Sequence, residues 1–211
     1  MKNVPKISPA VIKRLPRYRR FLLDLQRKGE DRVSSGKLSE LMGYTASQIR
    51  QDLNNFGGFG QQGYGYNVMA LREEIDAILG LGNHYGIIIA GVGNLGRAIA
   101  NYTSLYKIEF EIKAMFDIDP LVIGTEINGI KVRGVDSLAA YLEDCDIDIG
   151  IITTNRESAQ EVADIMISGG VKGIWTFAST DLKAPESVAL QAVHLSDSLN
   201  ELVYYINNRR T

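Results

Sequence analysis

An apolar run that breaks into glycines and resumes as a helix constrains this chain more than any other feature. Ile87-Ile88-Ile89-Ala90 is followed by Gly91-Val92-Gly93-Asn94-Leu95-Gly96 and then by Arg97-Ala98-Ile99-Ala100. The order is strand, loop, helix, and the loop spacing is Gly-x-Gly-x-x-Gly. In such a unit Gly91 permits the tight turn, Gly93 lets backbone N–H groups approach a pyrophosphate, and Gly96 lets the helix lie close on the strand. The helix N-terminus adds positive partial charge and N–H donors that have no partner within the helix. Glycine-rich turns are common, so the fingerprint alone is weak; the strand before it and the helix after it give it weight.

The downstream sequence agrees. Ile112–Asp117 has the pattern of a second strand and ends in an acid 26 residues after Gly91, where a carboxylate takes the adenosine ribose hydroxyls. Asp117 and Ile118 are followed by Asp119-Pro120, with no arginine for a 2′-phosphate, which favours NAD over NADP. A helix about 137–142, a strand 147–152, a helix 158–167 and a strand 173–177 continue the alternation that builds a parallel sheet with helices on both faces. Loops at the carboxyl ends of such strands line the ligand crevice. Thr153, Thr154, Asn155, Phe177, Ala178 and Ser179 are therefore candidate contacts to the far half of a cofactor, with helix capping as the other reading of the Thr and Ser residues.

The 211 residues leave room for a second domain, and charge marks where it lies. Residues 1–60 hold 12 Lys/Arg against 5 Asp/Glu, whereas residues 61–211 hold 11 against 20. A basic front and an acidic back suggest that the front meets a polyanion, a solvated basic face being the bland alternative. One cysteine excludes an intrachain disulfide, and two distant histidines give no metal-ligand spacing, so no metal is expected. No apolar window is long enough to span a bilayer and the first residues lack a signal-peptide pattern, from which a cytoplasmic location is expected.

Within the basic segment, Tyr18, Phe21, Leu22 and Leu25 predict a helix over 17–28, with Pro16 in its first turn and Gly29 at its end. A short second helix starts at Ser34-Ser35-Gly36, buries Leu38, Leu41 and Met42, and stops at Gly43. In the third, Thr45 and Gln48 have capping-box spacing and Ile49, Leu53 and Phe56 form an apolar stripe. Ser47, Gln48, Arg50, Gln51 and Asn54 then point away from that stripe. Two helices around a glycine turn, the second with a hydrogen-bonding outer face, make a helix-turn-helix, and the basic bias favours DNA over plain helix packing. The glycine-aromatic run from Phe56 to Tyr66 reads as a hairpin, the wing of a winged helix, whose tip Gln61, Gln62 and Gly63 can reach DNA, a hairpin that only closes the small domain being the other reading. A helix between Val68 and Leu81 links to the next domain, with the boundary near Gly82. The tail from Leu195 to Ile206 is an apolar helix that suits closure of the sheet and contact with a second subunit about equally well.

Taken together, the Thr45–Phe56 helix with Arg50-Gln51-Asp52-Leu53, the wing ending Gly63-Tyr64-Gly65-Tyr66, the Gly91–Gly96 loop, Phe116–Pro120 and Lys172–Ala178 resemble the redox-sensing transcriptional repressors of the Rex family over nearly the full length. The resemblance implies an α/β protein with an N-terminal winged helix-turn-helix domain and linker helix (1–81), an NAD(H)-binding doubly wound Rossmann domain (82–194) and a C-terminal dimerisation helix (195–211) exchanged between the subunits of a homodimer. It also implies a sensor of NADH and NAD⁺: NADH binding closes the dimer and releases a palindromic double-stranded operator, and NAD⁺ permits DNA binding. That is a coupling free energy between two sites acting through one bistable dimer.

Three departures from the family pattern stand out. Gln51 replaces a frequent Lys beside the recognition-helix arginine, and Gln61-Gln62 replace basic residues at the wing tip. Where the family places a switch aspartate in the final strand, able to pair with Arg20 or Tyr102, this chain has His194, with Asp197 nearby to take its role. The chief alternative, a small NAD-dependent oxidoreductase with an accessory N-terminal domain, lacks an evident acid/base pair and the length for a substrate domain. No catalytic residue is therefore expected. A nucleotide- or CoA-binding module of a ligase-like assembly leaves the basic winged helix unexplained.

Overall fold

The computed structural model describes residues 7–54, 60–61, 64–103 and 109–208. They divide into two compact units, Met1–Asn83 and His84–Thr211.

The first unit opens with helix α1, Pro9–Arg27, capped by Ser8, whose hydroxyl accepts from the Val11 N–H, and with Pro9 in the first turn. The helix therefore begins well before the expected Arg17, and Pro16 lies inside it. A proline in a helix interior costs about 3 kcal/mol. Val11, Leu15, Tyr18, Leu22 and Leu25 make one continuous buried stripe. Burying Val11 and Leu15 returns roughly 1.5–3 kcal/mol each, enough to carry the helix through Pro16. Strand β1, Arg32–Val33, leads to helix α2, Ser35–Met42, capped by Ser34 and stopped at Gly43, whose φ of 70° is left-handed. Leu38 and Met42 are buried but Leu41 is exposed, because this two-turn helix shows the core a narrower stripe than its sequence suggested. Helix α3, Ala46–Asn54, buries Ile49 and Leu53, while Phe56 lies outside the described residues.

Strands β2, Gly60–Gln61, and β3, Gly65–Asn67, pair antiparallel as the expected wing, and β1 pairs on the other edge of β3. Gly65 has φ +71° and a Cβ there would lie 2.6 Å from the Val33 carbonyl oxygen, so this crossing of β1 and β3 requires glycine. The tip at Gln62 and Gly63 lies outside the described residues. Asn67 caps helix α4, Val68–Ile78, which packs on α1 through Leu71 and Ile75. Asp76 of α4 accepts hydrogen bonds from Arg19 of α1 and from Arg72 one turn back.

The second unit is a doubly wound sheet. In chain order its elements are β4 (Tyr85–Ala90), α5 (Asn94–Thr103), β5 (Phe110–Asp117), β6 (Glu126–Ile127), β7 (Ile130–Gly134), a 3₁₀ turn (Val135–Ser137), α6 (Leu138–Asp144), β8 (Ile149–Ile152), α7 (Arg156–Ser168), β9 (Gly173–Thr176), β10 (Ala189–Ala192) and α8 (Leu195–Asn208). The sheet order is β10-β9-β8-β4-β5-β7-β6, parallel throughout except for β6 against β7. Strand β4 is central and buried on both faces, which is why it reads as an unbroken apolar run. Ile88 and Ala90 join the core with α6 and α7, while Ile87 and Ile89 face the core beneath α5. The third parallel strand, β7, enters through a hairpin whose turn residues Asn128 and Gly129 have φ 53° and 80°. Helix α8 closes nothing: Leu195, Leu199, Leu202, Val203, Tyr204, Tyr205 and Ile206 are all exposed.

Candidate functional site

The chain runs from β4 outward to β5 and β7, then returns to β8 and outward to β9 and β10, so the order reverses between β4 and β8. Two loops diverge at that point and leave a crevice beyond the strand ends. A cleft of about 450 Å³ lies there, lined among others by Gly91, Gly93, Asp117, Ile118, Thr153 and Thr154.

Each glycine of the loop has its own geometry. Gly91 has φ +89° and donates its N–H to the Phe116 carbonyl, and a Cβ on it would run into the backbone of Thr153. At Gly96 a Cβ would fall on the Gly91 carbonyl oxygen, so α5 sits against the turn that feeds it. Gly93 is different: a Cβ there meets nothing within 4 Å. Its open side is the space a diphosphate needs, next to the first N–H groups of α5, which begins at Asn94. Val92 is buried and Leu95 half-buried in the core under α5, so these two hold the loop down, and Asn94 is exposed at the helix start.

Asp117 ends β5 with its carboxylate between two backbone donors. Oδ2 accepts from the Val92 N–H at 2.5 Å and Oδ1 from the Asp119 N–H at 2.8 Å. One side chain thus ties the glycine loop to the next strand and presents its remaining lone pairs at the cleft. Ile118, 80% exposed, forms part of the cleft wall. The Thr153 hydroxyl donates to the Gly91 carbonyl at 2.5 Å, which makes Thr153 a brace for the turn. Thr154 lines the cleft, and Asn155 caps α7 through Ser158. Phe177 and Ala178 do not line this cleft. Phe177 packs with Trp175 at 4.6 Å between ring centroids in the α5-side core and Ala178 is buried in the opposite core, the strand alternation of β9 continuing through both, with the Phe177 N–H still donating to the Ile152 carbonyl. The cleft instead extends to Asp136, Ser158 and Glu161, which the strand-end rule passed over because they lie on the 3₁₀ turn and on α7.

In the first unit, Ser47, Arg50, Gln51 and Asn54 are exposed along α3. Arg50 donates to the Ser35 hydroxyl at 3.1 Å, which steadies it across the α2–α3 pair. Only half of the capping box forms. The Thr45 hydroxyl accepts from the Gln48 N–H at 3.1 Å, but the Gln48 amide turns along the helix and donates to Asp52 at 2.9 Å, drawn by a charged acceptor in place of a backbone N–H. Asp52, absent from the sequence-derived candidates, is 1% exposed. Burial by itself pushes its pKa up, but hydrogen bonds from Arg14, Gln48 and Tyr18 together with the Arg14 charge hold it below the ordinary aspartate value. Burial and the hydrogen bond to Asp52 raise the Tyr18 phenol well above its ordinary value.

The remaining candidates fall in both units. Arg20 is exposed on α1 with its guanidinium over the Phe21 ring, Tyr102 is exposed near the end of α5, and His194 follows β10 with Nε2 3.8 Å from Asp181. Asp197 stands in the first turn of α8 and donates its N–H to the His194 carbonyl. Among the described residues no helix is long and apolar enough to cross a membrane.

Known proteins match both units. A family model described as a putative DNA-binding protein N-terminus covers residues 6–54, and one described as a CoA binding domain covers residues 83–180. The redox-sensing transcriptional repressor Rex of Clostridium botulinum is 54% identical over 207 residues, spanning 98% of this chain and 99% of that protein. Among solved structures, RSP, a Rex-family repressor, is similar in its complex with β-NAD⁺ and operator DNA, with a TM-score of 0.90, 51% identity and coverage of 97% of this chain and 94% of that one. RSP in complex with β-NADH gives a TM-score of 0.89 and 48% identity over 97% of this chain and 96% of that one. These relatives are regulators, which decides between repressor and oxidoreductase. The chain belongs to the Rex family of redox-sensing transcriptional repressors.

Proposed function

We propose that the chain represses transcription by binding a palindromic operator through α3 and the wing, and that NADH, captured in the cleft at Gly91–Gly96, releases it while NAD⁺ permits binding. The observation that carries the reading is the open face of Gly93 beside the start of α5, in a chain whose basic front bears a helix-turn-helix. The diphosphate would rest on Gly93 and the α5 N-terminus, Asp117 would take the adenosine ribose, and Ile118 with Thr154 would flank the bound dinucleotide. Thr153 supports this by fixing the Gly91 turn. The nicotinamide is then a signal, and nothing in the reading requires hydride transfer.

Arg50 leads DNA recognition, with Ser47, Gln51 and Asn54 beside it and Gln61 to Gly63 at the wing. The domain roles follow: 1–81 binds DNA, 82–194 binds dinucleotide and 195–211 pairs two copies into a homodimer. The exposed apolar side chains of α8 support the last of these, since an unpaired helix of this kind in water is unfavourable. Arg20, Tyr102, His194 and Asp197 are the residues through which the redox state would reach the DNA-binding half. Repression of this kind places the protein with its DNA in the cytoplasm. The test is fluorescence anisotropy on promoter DNA with NADH added at fixed NAD⁺. DNA release must follow NADH; DNA binding indifferent to NADH would leave a repressor that does not sense it.

A further inference from the structure

We propose that Asp52 is the positioning residue of the DNA-reading helix α3, and that Gln48, on the face expected to read bases, serves Asp52. This rests on α3 being the recognition helix. The Asp52 carboxylate is gripped on both oxygens. Oδ1 accepts from Arg14 Nη2 at 2.7 Å and from Gln48 Nε2 at 2.9 Å; Oδ2 accepts from Arg14 Nε at 2.7 Å and from the Tyr18 hydroxyl at 3.0 Å. Arg14 and Tyr18 stand one turn apart on α1, and Gln48 stands one turn before Asp52 on α3.

The choice of a charge at this place needs a reason. A buried ion pair is weak evidence for stability, since apolar residues of like volume often do as well. A planar guanidinium fork on a carboxylate is directional, however, and is satisfied in one orientation. Ile49 and Leu53 supply non-directional packing to the same helix. The fork therefore fixes what they leave soft, the roll and slide of α3 against α1. Ser47, Arg50, Gln51 and Asn54 all project from that one axis. At the outer side-chain radius of about 5–6 Å, a roll of roughly 20° displaces the outer atoms of those side chains by about 2 Å. Hydrogen bonds to base edges do not survive such a shift. Contacts from flexible side chains to phosphates do, because they depend on charge more than on angle. The clamp thus governs sequence discrimination and leaves phosphate affinity alone, and Gln48, its amide turned along the helix by one N–H bond to Asp52, serves the clamp.

The experiment measures binding of full-length wild type, Asp52→Asn, Arg14→Lys and Gln48→Ala to two duplexes. One is the palindrome that the wild-type protein enriches from randomised DNA, and the other has the same composition, shuffled. Asp52→Asn is expected to lower the ratio of the two affinities at least tenfold, with shuffled-duplex affinity, salt slope and NADH binding unchanged. Arg14→Lys keeps the charge and loses the fork, so it repeats the effect where Asp52→Asn fails to fold. Gln48→Ala is expected to lower the ratio a fewfold and equally for substitutions at every base pair of the half-site. A preserved ratio in folded Asp52→Asn and Arg14→Lys overturns the clamp. A loss confined to one base pair in Gln48→Ala overturns its supporting role. Failure of the wild type to enrich any sequence overturns the recognition-helix reading beneath both.

Discussion

Alanine at each of the three glycines of the 91–96 loop should separate folding from ligand binding, because the structure gives each added methyl a different neighbour. At Gly93 the Cβ meets nothing within 4 Å, so stability should stay within about 0.5 kcal/mol of wild type. The same methyl would occupy the surface on which a diphosphate must rest, and NADH affinity should fall at least tenfold, about 1.4 kcal/mol. At Gly96 helix propensity alone would favour alanine by about 1 kcal/mol. The Cβ would lie on the Gly91 carbonyl oxygen and 2.9 Å from the Thr153 hydroxyl, both fixed, and overpacking of this kind costs about 1–3 kcal/mol or more. The clash should win, leaving Gly96→Ala destabilised. Gly91→Ala combines a left-handed φ of +89°, costing roughly 1–2 kcal/mol, with a Cβ 2.7 Å from the Thr153 carbonyl carbon, and should be the least stable. For a domain of this size each kcal/mol moves the melting temperature by about 2–4 °C. Thermal unfolding paired with calorimetric NADH titration reads both quantities. Gly93→Ala with wild-type NADH affinity, or Gly96→Ala with wild-type stability, would refute the reasoning.

Asp117→Ala removes an acceptor for the ribose and the anchor of the Val92 N–H at once, so NADH affinity should drop at least thirtyfold; titration with intact affinity would sink the ribose assignment. Arg50→Ala should abolish operator binding in gel shifts while NADH titrations are unchanged, since Arg50 stands exposed on α3 and its guanidinium hydrogen-bonds only the Ser35 hydroxyl of the neighbouring helix among the described residues. Replacing Leu199 and Val203 by Asp should convert a dimer to a monomer in light scattering without loss of helicity, and a variant that stays dimeric would remove α8 from the interface. For Asp52 the folded pKa lies below the unfolded one, so its contribution to stability is complete above about pH 4 and is lost as pH falls through the depressed value. Asp52→Asn should accordingly flatten the acid limb of the stability curve of the N-terminal unit followed by circular dichroism; an unchanged limb would deny the linkage.

Much of this molecule was legible because its signals are local. The Ser34 and Thr45 caps act within a few residues, and the Gly91–Gly96 turn and the acid ending β5 are marked by a fixed spacing along the chain. Less was legible where a residue answers to distant partners. Pro16 reads as a helix start because the local rule knows nothing of the core that Val11 and Leu15 fill on its far side. Strand β7 is hard to read from sequence even though Asn128-Gly129, flanked by Ile127 and Ile130, carries the turn chemistry of a hairpin; its apolar run is short and its pairing with β5 is non-local. The strand-end rule names Phe177 and Ala178 together, but it does not say that alternation sends their side chains into two different cores.

Asp52 is the most instructive of these residues, because a charge in the third helix of a basic domain looks, in one dimension, like a solvated surface group. Helical spacing did contain the clue. Asp52 lies next to the stripe of Ile49 and Leu53, and Gln48 stands one turn before it, so a carboxylate at that angle must either disturb the apolar seam or be compensated across it. The compensating fork comes from Arg14, 38 residues earlier, on a helix whose start Pro16 obscures in the sequence. Had α1 been carried back to Pro9, Arg14 and Tyr18 would have appeared on one face, one turn apart, as the donors such a carboxylate requires. Pro16 thus masks Arg14 and Tyr18, and with them the partner of Asp52, the residue whose geometry decides how the recognition helix is aimed.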